Sequence, residues 1–262
     1  MYKKAMLPNT ITIGNLFLGF YAILEICQGN YTKACWFIVI AAILDGLDGL
    51  VARLVHSDSK FGMEIDSLVD VVSFGVAPAL LIYMTVFKPL GIIGITLAFL
   101  PLLAGALRLA RYNLISISSP QKKGFIGLPL PSSALVIVGF YVYIHNLHGS
   151  VANQPLWFSI IPALSLLMIS PIPYRRMPVV RIHGSKYPWI GVSILIITAF
   201  LMIWKPAYTL FPLMLTYVIT GPIEILTVQL RKLRPQQSED DVPETSIISP
   251  RQSSRRSRRR KR

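Results

Sequence analysis

Four aspartates set in apolar sequence are the residues of this chain best suited to chemistry. Asp45 and Asp48 stand three apart, followed by Gly49, Ala52 and Arg53; after eight intervening residues come Gly62, Asp66 and Asp70, each four apart. On an α-helix Asp45, Asp48, Gly49 and Ala52 share one face, and Gly62, Asp66, Asp70 and Ser73 share another. A carboxylate near a bilayer centre costs about 2.5–3.5 kcal/mol on insertion scales, so four in one stretch need a compensating charge. All-oxygen ligands suit hard cations such as Mg²⁺ or Mn²⁺. Four carboxylates can hold two such ions, a pair that clamps the bridging and leaving oxygens of a phosphoryl group. Gly49 and Gly62 let a phosphate-bearing ligand approach the backbone closely. Arg53 offers a guanidinium for bidentate contact with a phosphate. Asp70 can accept a proton from an attacking hydroxyl if it lies within hydrogen-bond reach. The competing readings are a buried ion network, or proton-relay acids of a transporter.

The elements that position these residues are membrane spans. The chain has 262 residues, 53% hydrophobic and only 15% charged, against about 25% charged in soluble domains. Its apolar residues fall into eight blocks of roughly the 20 residues needed to cross a bilayer: 10–28, 33–54, 62–87, 90–114, 129–147, 155–172, 187–204 and 207–230. The expected fold is therefore all-α: a polytopic helical membrane domain over residues 1–230, followed by a disordered basic tail over 231–262. No internal repeat is visible. The segment between the acidic pairs, around Arg53–Phe61, is polar and is expected at the membrane surface. The two acidic helices are then adjacent and antiparallel, with Asp45 about 12 Å below that surface. The result is a cavity open to one side. A transporter would instead be expected to place its acids near the midplane, on broken helices or inverted repeats.

The net charge of +14 is mostly a topology signal. With eight spans and both ends on one side, all but Lys33, Lys88 and Lys205 of the 26 lysines and arginines fall on that same side. The positive-inside rule makes it the cytoplasm. The protein is thus expected in the inner (cytoplasmic) membrane, with both termini and the acidic cavity cytoplasmic. Thr10–Gln28 reads as a retained span, since no small-residue cleavage site follows it. The tail holds Glu239–Asp241, several serines and the nearly all-basic Arg255–Arg262. Such a composition cannot bury enough apolar surface to fold alone, and is expected to lie on anionic lipid. No aromatic residues interleave its arginines, which argues against nucleic acid as a partner. Cys27 and Cys35 lack metal-site spacing; they read as unpaired membrane cysteines, with an outward-facing disulfide as the alternative.

The pattern Asp45-x-x-Asp48-Gly49-x-x-Ala52-Arg53, eight residues, Gly62-x-x-x-Asp66-x-x-x-Asp70 resembles the signature of the CDP-alcohol phosphatidyltransferase family at every motif position. The resemblance implies a helical membrane enzyme, usually a homodimer, that transfers a phosphatidyl or related group from a CDP-linked lipid to an alcohol and releases CMP. It implies that Asp45, Asp48, Asp66 and Asp70 bind two Mg²⁺ or Mn²⁺ ions and that Asp70 is also the base. It further implies that Gly49, Ala52 and Gly62 line the cytidine diphosphate pocket and that Arg53 contacts the donor phosphates.

The motif does not name the acceptor. Pro8-Asn9-x-x-Thr12-x-x-Asn15-Leu16, Asp70–Ala79, Arg108-Leu-Ala-Arg111-Tyr112-Asn113 and Phe125-x-Gly127-Leu128-Pro129-x-Pro131 resemble the branch of the family that takes CDP-diacylglycerol as donor and L-serine as acceptor. Serine brings a carboxylate and an ammonium group. Arg108 or Arg111 suits the carboxylate, and Asn113 suits donor or acceptor; the alternative is that these arginines snorkel to lipid headgroups. Lys122 and Lys123 are expected at lipid phosphates. Arg175 and Arg176 are expected either at the donor headgroup or as topology signals. Ser73 shares the acidic face and is expected either to approach the ligand or to pack between helices. Glycerol 3-phosphate, an inositol phosphate or choline stay open as acceptors, and an ether lipid stays open as donor. An ion transporter is the reading from another class.

Overall fold

Long apolar runs fold as helices in a membrane because only a helix, or a closed barrel, satisfies every backbone donor and acceptor away from water. The computed structural model describes residues 2–55, 60–118, 127–151, 155–172, 174 and 200–233, and every regular element among them is helical. In chain order these are α1 (Tyr2–Cys27), α2 (Tyr31–Val55) and α3 (Lys60–Asp70); then a π-helical turn (Val71–Val76), α4 (Ala77–Ile82), a second π-helical turn (Tyr83–Phe87) and a 3₁₀ turn (Lys88–Leu90); then α5 (Ile92–Ser118), α6 (Leu130–His148), α7 (Trp157–Ile169) and α8 (Pro206–Leu233).

Among the described residues, six helical stretches are long and apolar enough to cross a membrane: Thr10–Cys27, Tyr31–Val51, Phe61–Leu90, Ile92–Leu114, Leu130–His148 and Pro206–Thr227. The chain is therefore an all-α polytopic membrane protein. The block at 155–172 forms only the 13 residues of α7, about 20 Å of helix. It stops at Ser170, whose backbone is extended (ψ 153°), as expected of a residue preceding a proline, here Pro171. Of the block at 187–204, only residues 200–204 are described, and they are helical. The basic tail lies outside the described residues beyond Leu233.

The first two helices form a tight antiparallel hairpin. Gly29 turns the chain at φ +82°, a conformation glycine adopts without steric cost. The turn closes with the Gly29 N–H donating to the Ile26 carbonyl at 3.0 Å and the Asn30 N–H to the Glu25 carbonyl at 2.8 Å. Helix α6 is the most enclosed of these spans, buried from Leu130 through Ile144 along most of its length. Its Phe140 ring meets Trp157 of α7 edge-on at 4.6 Å, and the Trp157 indole donates to the Val151 carbonyl at 3.1 Å. Phe74, Phe87, Leu81 and Ile82 from the third span complete this core. Other faces carry exposed apolar side chains, among them Ile13, Phe17, Phe20 and Leu24 on α1 and Ile40, Ile43, Leu47 and Leu50 on α2. Such faces are stable against acyl chains rather than water.

The third span is irregular directly after Asp70. Pro78 has no N–H to return to the carbonyl of Phe74, and its ring crowds that carbonyl. The helix relieves this by widening to the π form over Val71–Val76. Single π turns of this kind recur at functional sites. The turn packs against α1, α5 and α6, which places Asp70 where four elements converge.

Candidate active site

The two acidic helices meet as their periodicity requires. Asp45 and Asp48 project from the C-terminal half of α2, and Asp66 and Asp70 from α3. Asp45, Asp48 and Asp66 each offer a carboxylate oxygen within 4.8 Å of the other two. Asp70 is 8% exposed, its carboxyl is within hydrogen-bond reach of Asp45, and its Oδ1 has no hydrogen-bond partner among the described residues. Two unit charges 4 Å apart repel by about 4 kcal/mol at an effective dielectric of 20, so the cluster calls for a counter-charge. Three converging hard oxygen donors, with a fourth buried oxygen left unpartnered beside them, fit one or two divalent cations of the Mg²⁺ or Mn²⁺ type.

On the acidic face of α2, a Cβ placed on Gly49 would meet nothing within 4 Å, and Gly62 of α3 is half-buried. Arg108 from α5 is 6% exposed, its Nε has no hydrogen-bond partner among the described residues, and its guanidinium faces Asp70, Arg111 and Tyr217. The Tyr217 and Ser132 hydroxyls hydrogen-bond to one another. From α1, the Thr12 hydroxyl donates to Asp48 Oδ2 at 3.0 Å.

Residues 5–170 match the profile of the CDP-alcohol phosphatidyltransferases, well over half of the chain. The chain belongs to the CDP-alcohol phosphatidyltransferase family. The family's general reaction, transfer from a CDP-linked donor to an alcohol, is therefore the reaction type of this enzyme. Among its relatives is a CDP-diacylglycerol–serine O-phosphatidyltransferase of Helicobacter pylori, 36% identical over 227 residues that cover 86% of this chain and 93% of the relative. Another protein of that name, from Methanocaldococcus jannaschii, is 41% identical over 177 residues, covering 67% and 77%. An archaetidylserine synthase of Methanothermobacter thermautotrophicus is 39% identical over 176 residues, covering 65% and 70%.

The remaining site residues of this phosphatidyltransferase are placed as follows. Ser73 is fully buried, and its hydroxyl donates to the Asn15 carbonyl on α1 at 3.2 Å, which is a contact between helices. Arg111 donates from a terminal guanidinium nitrogen to the Ile169 carbonyl at the end of α7, at 3.1 Å. That end of α7 also receives the start of α6: the Leu128 N–H donates to the Leu167 carbonyl at 3.0 Å, and the Gly127 N–H donates to Ile172 at 2.8 Å. The Asn113 amide donates to the Ser67 hydroxyl at 3.1 Å. Ala52 and Arg53 lie in the last turns of α2, where only the course of the backbone is described; Lys122, Lys123, Arg175 and Arg176 lie outside the described residues. Cys27 is exposed and Cys35 buried, both as free thiols.

Sequence reasoning assigned no role in the cluster to Thr12, Asn15 or Ser67. A signal was present for the first two. Thr12, Asn15 and Gly19 recur at intervals of three and four on an otherwise apolar helix, which marks a face turned away from lipid.

Proposed function

We propose that this enzyme is a CDP-diacylglycerol–serine O-phosphatidyltransferase. It would move the phosphatidyl group of CDP-diacylglycerol to the hydroxyl of L-serine and release CMP. The observation that carries the reading is the convergence of the α2 and α3 carboxylates, with Asp45, Asp48 and Asp66 oxygens within 4.8 Å. Asp45, Asp48, Asp66 and Asp70 are the residues to hold two Mg²⁺ or Mn²⁺ ions. Bound there, the ions would neutralise charge on the donor's pyrophosphate and on the leaving CMP. The open backbone at Gly49 gives the cytidine diphosphate room to lie close, Ala52 and Gly62 are the further residues for its pocket, and Arg53 is the residue for its phosphates.

The acyl chains of the donor stay in the inner leaflet while its headgroup enters the cavity. Serine comes from the cytoplasm. Arg108 and Arg111 are the cations for its carboxylate, and Asn113 is a polar neighbour on the same helix. Asp70, with Oδ1 unpartnered, takes the proton from the serine hydroxyl as that oxygen bonds to the diacylglycerol-bearing phosphorus and the bond to CMP breaks. Burial supports this arrangement, because fixed charges act more strongly where water is excluded. The names of the relatives from Helicobacter pylori and Methanocaldococcus jannaschii agree with serine as acceptor.

The topology that fits this reading has both termini and the cavity on the cytoplasmic side of the inner membrane. It comprises a catalytic membrane domain over 1–230 and a basic tail over 231–262 against anionic lipid. A homodimer is the expected assembly, and Lys122, Lys123, Arg175 and Arg176 are expected near lipid or donor phosphates. The deciding experiment gives the purified protein CDP-diacylglycerol, Mn²⁺ or Mg²⁺, and serine, glycerol 3-phosphate, inositol phosphate or choline in turn, and follows CMP. Serine-dependent CMP release supports the proposal. Release with another alcohol and none with serine overturns it. A CDP-linked ether lipid belongs in the same panel, since these residues contact the shared headgroup rather than the chains.

A further inference from the structure

Thr12, Asn15 and Gly19 form an inward stripe on α1. Thr12 is 6% exposed and Asn15 fully buried. Each turn of the stripe engages an acidic element. The Thr12 hydroxyl donates to Asp48 Oδ2 at 3.0 Å. One turn deeper, the Asn15 carbonyl accepts the Ser73 hydroxyl at 3.2 Å, three residues past Asp70. One turn deeper again, a Cβ on Gly19 would overlap Ser73, coming within 2.8 Å of its Cα. The close approach at Gly19 and the bond at Asn15 therefore set the height of α1 against the third span, and that height brings Thr12 level with Asp48.

The Thr12 hydroxyl thus ties the Asp48 carboxylate of α2 to a second helix. A hydroxyl has one proton to give, and here it is given to a carboxylate whose neighbours Asp45 and Asp66 converge within 4.8 Å. Without that bond, Asp48 would be free to rotate about its last torsion, a broad and roughly two-fold one, and the three oxygens would no longer be held in register.

We propose that Thr12 is a positioning residue of the metal centre: its hydroxyl orients Asp48 for a divalent cation, making α1 part of the centre although it supplies no ligand. This rests on the reading of the aspartate cluster as a divalent-cation site. Partners that orient ligating carboxylates typically change metal affinity by about 10–100-fold when removed.

The test is Mn²⁺ binding to the full-length protein in detergent, measured by calorimetry and by the electron paramagnetic resonance signal of free Mn²⁺, without substrate. Thr12→Val keeps the branched shape and removes the donor; Thr12→Ser keeps the donor and removes a methyl group. Thr12→Val is expected to weaken Mn²⁺ binding by about 10-fold or more, and Thr12→Ser to stay within about threefold of the unaltered protein. Should the valine variant not fold, Thr12→Ala carries the same expectation. Unaltered affinity in the variant lacking the hydroxyl overturns the proposal. So does equal weakening by Thr12→Ser, since that would make the effect one of packing. If the unaltered protein binds no Mn²⁺ at all, the cation reading falls first and the role of Thr12 with it.

Discussion

Asn113 and Ser67, 46 residues apart, are joined by a hydrogen bond: the Asn113 amide donates to the Ser67 hydroxyl at 3.1 Å. Ser67 in turn donates to the Met63 carbonyl one turn back, at 3.0 Å. This short relay ties α5 to the turn of α3 that carries Asp66, the next residue. A net hydrogen bond contributes only about 1 kcal/mol to stability, but a small shift of a reacting group can cost about 100-fold in rate. Asn113→Ala is therefore expected to lower CMP release by about 10-fold or more while shifting the unfolding midpoint in detergent by only a few degrees. A variant with full activity would remove Asn113 from the machinery.

The four aspartates are expected to be individually indispensable. Asp45→Asn, Asp48→Asn, Asp66→Asn and Asp70→Asn each keep shape and remove charge, and each should reduce CMP release by at least about 100-fold. EDTA should abolish release, and added Mn²⁺ or Mg²⁺ should restore it. Turnover that survives chelation would contradict a metal-dependent scheme. An active Asp70→Asn enzyme would reject Asp70 as the base.

Arg108 is buried beside Asp70 with its Nε unpartnered, so a substrate carboxylate is a natural occupant. A charge-assisted hydrogen bond contributes about 1.5–3 kcal/mol, and each 1.4 kcal/mol is tenfold in affinity. Arg108→Lys loses the planar fork and is expected to raise the KM for serine by about 10-fold or more, with little change in the KM for CDP-diacylglycerol. Steady-state kinetics with each substrate varied in turn will separate the two. An increase confined to the lipid substrate would move Arg108 to the donor site.

Two glycines separate close packing from open space. Gly19→Ala pushes a methyl group into Ser73, and overpacking of this kind costs about 1–3 kcal/mol. Gly46→Ala on α2 meets nothing within 4 Å and gains helix propensity. Unfolding in detergent should show a lowered midpoint for the first and no loss for the second. Equal midpoints would mean that α1 and the third span are not in such close contact.

Topology can be read from the two thiols. Cys27 is exposed at the end of α1, and Cys35 is buried. A membrane-impermeant maleimide applied to intact cells should label Cys27 from outside and leave Cys35 unmodified until the protein is unfolded. Labelling of Cys27 only in inside-out vesicles would invert the proposed orientation.

The sequence alone determined the helical membrane architecture, the meeting of two acidic helices and the family. The first two follow from local periodicity, in 20-residue apolar runs and carboxylates at intervals of three and four, and the family from the resemblance of the whole motif to its signature. The tertiary structure decided what depends on contacts between distant segments. Ser73 lies on the acidic face by spacing, and only the packing of α1 against the third span gives its hydroxyl the Asn15 carbonyl. Composition made residues 155–172 a span, but α7 covers only 13 of them, because hydropathy records how apolar a run is and not where prolines stop its helix. Thr12 and Asp48 are 36 residues apart, and no short-range pattern links them. Only the packing of α1 against α2 brings that hydroxyl to that carboxylate.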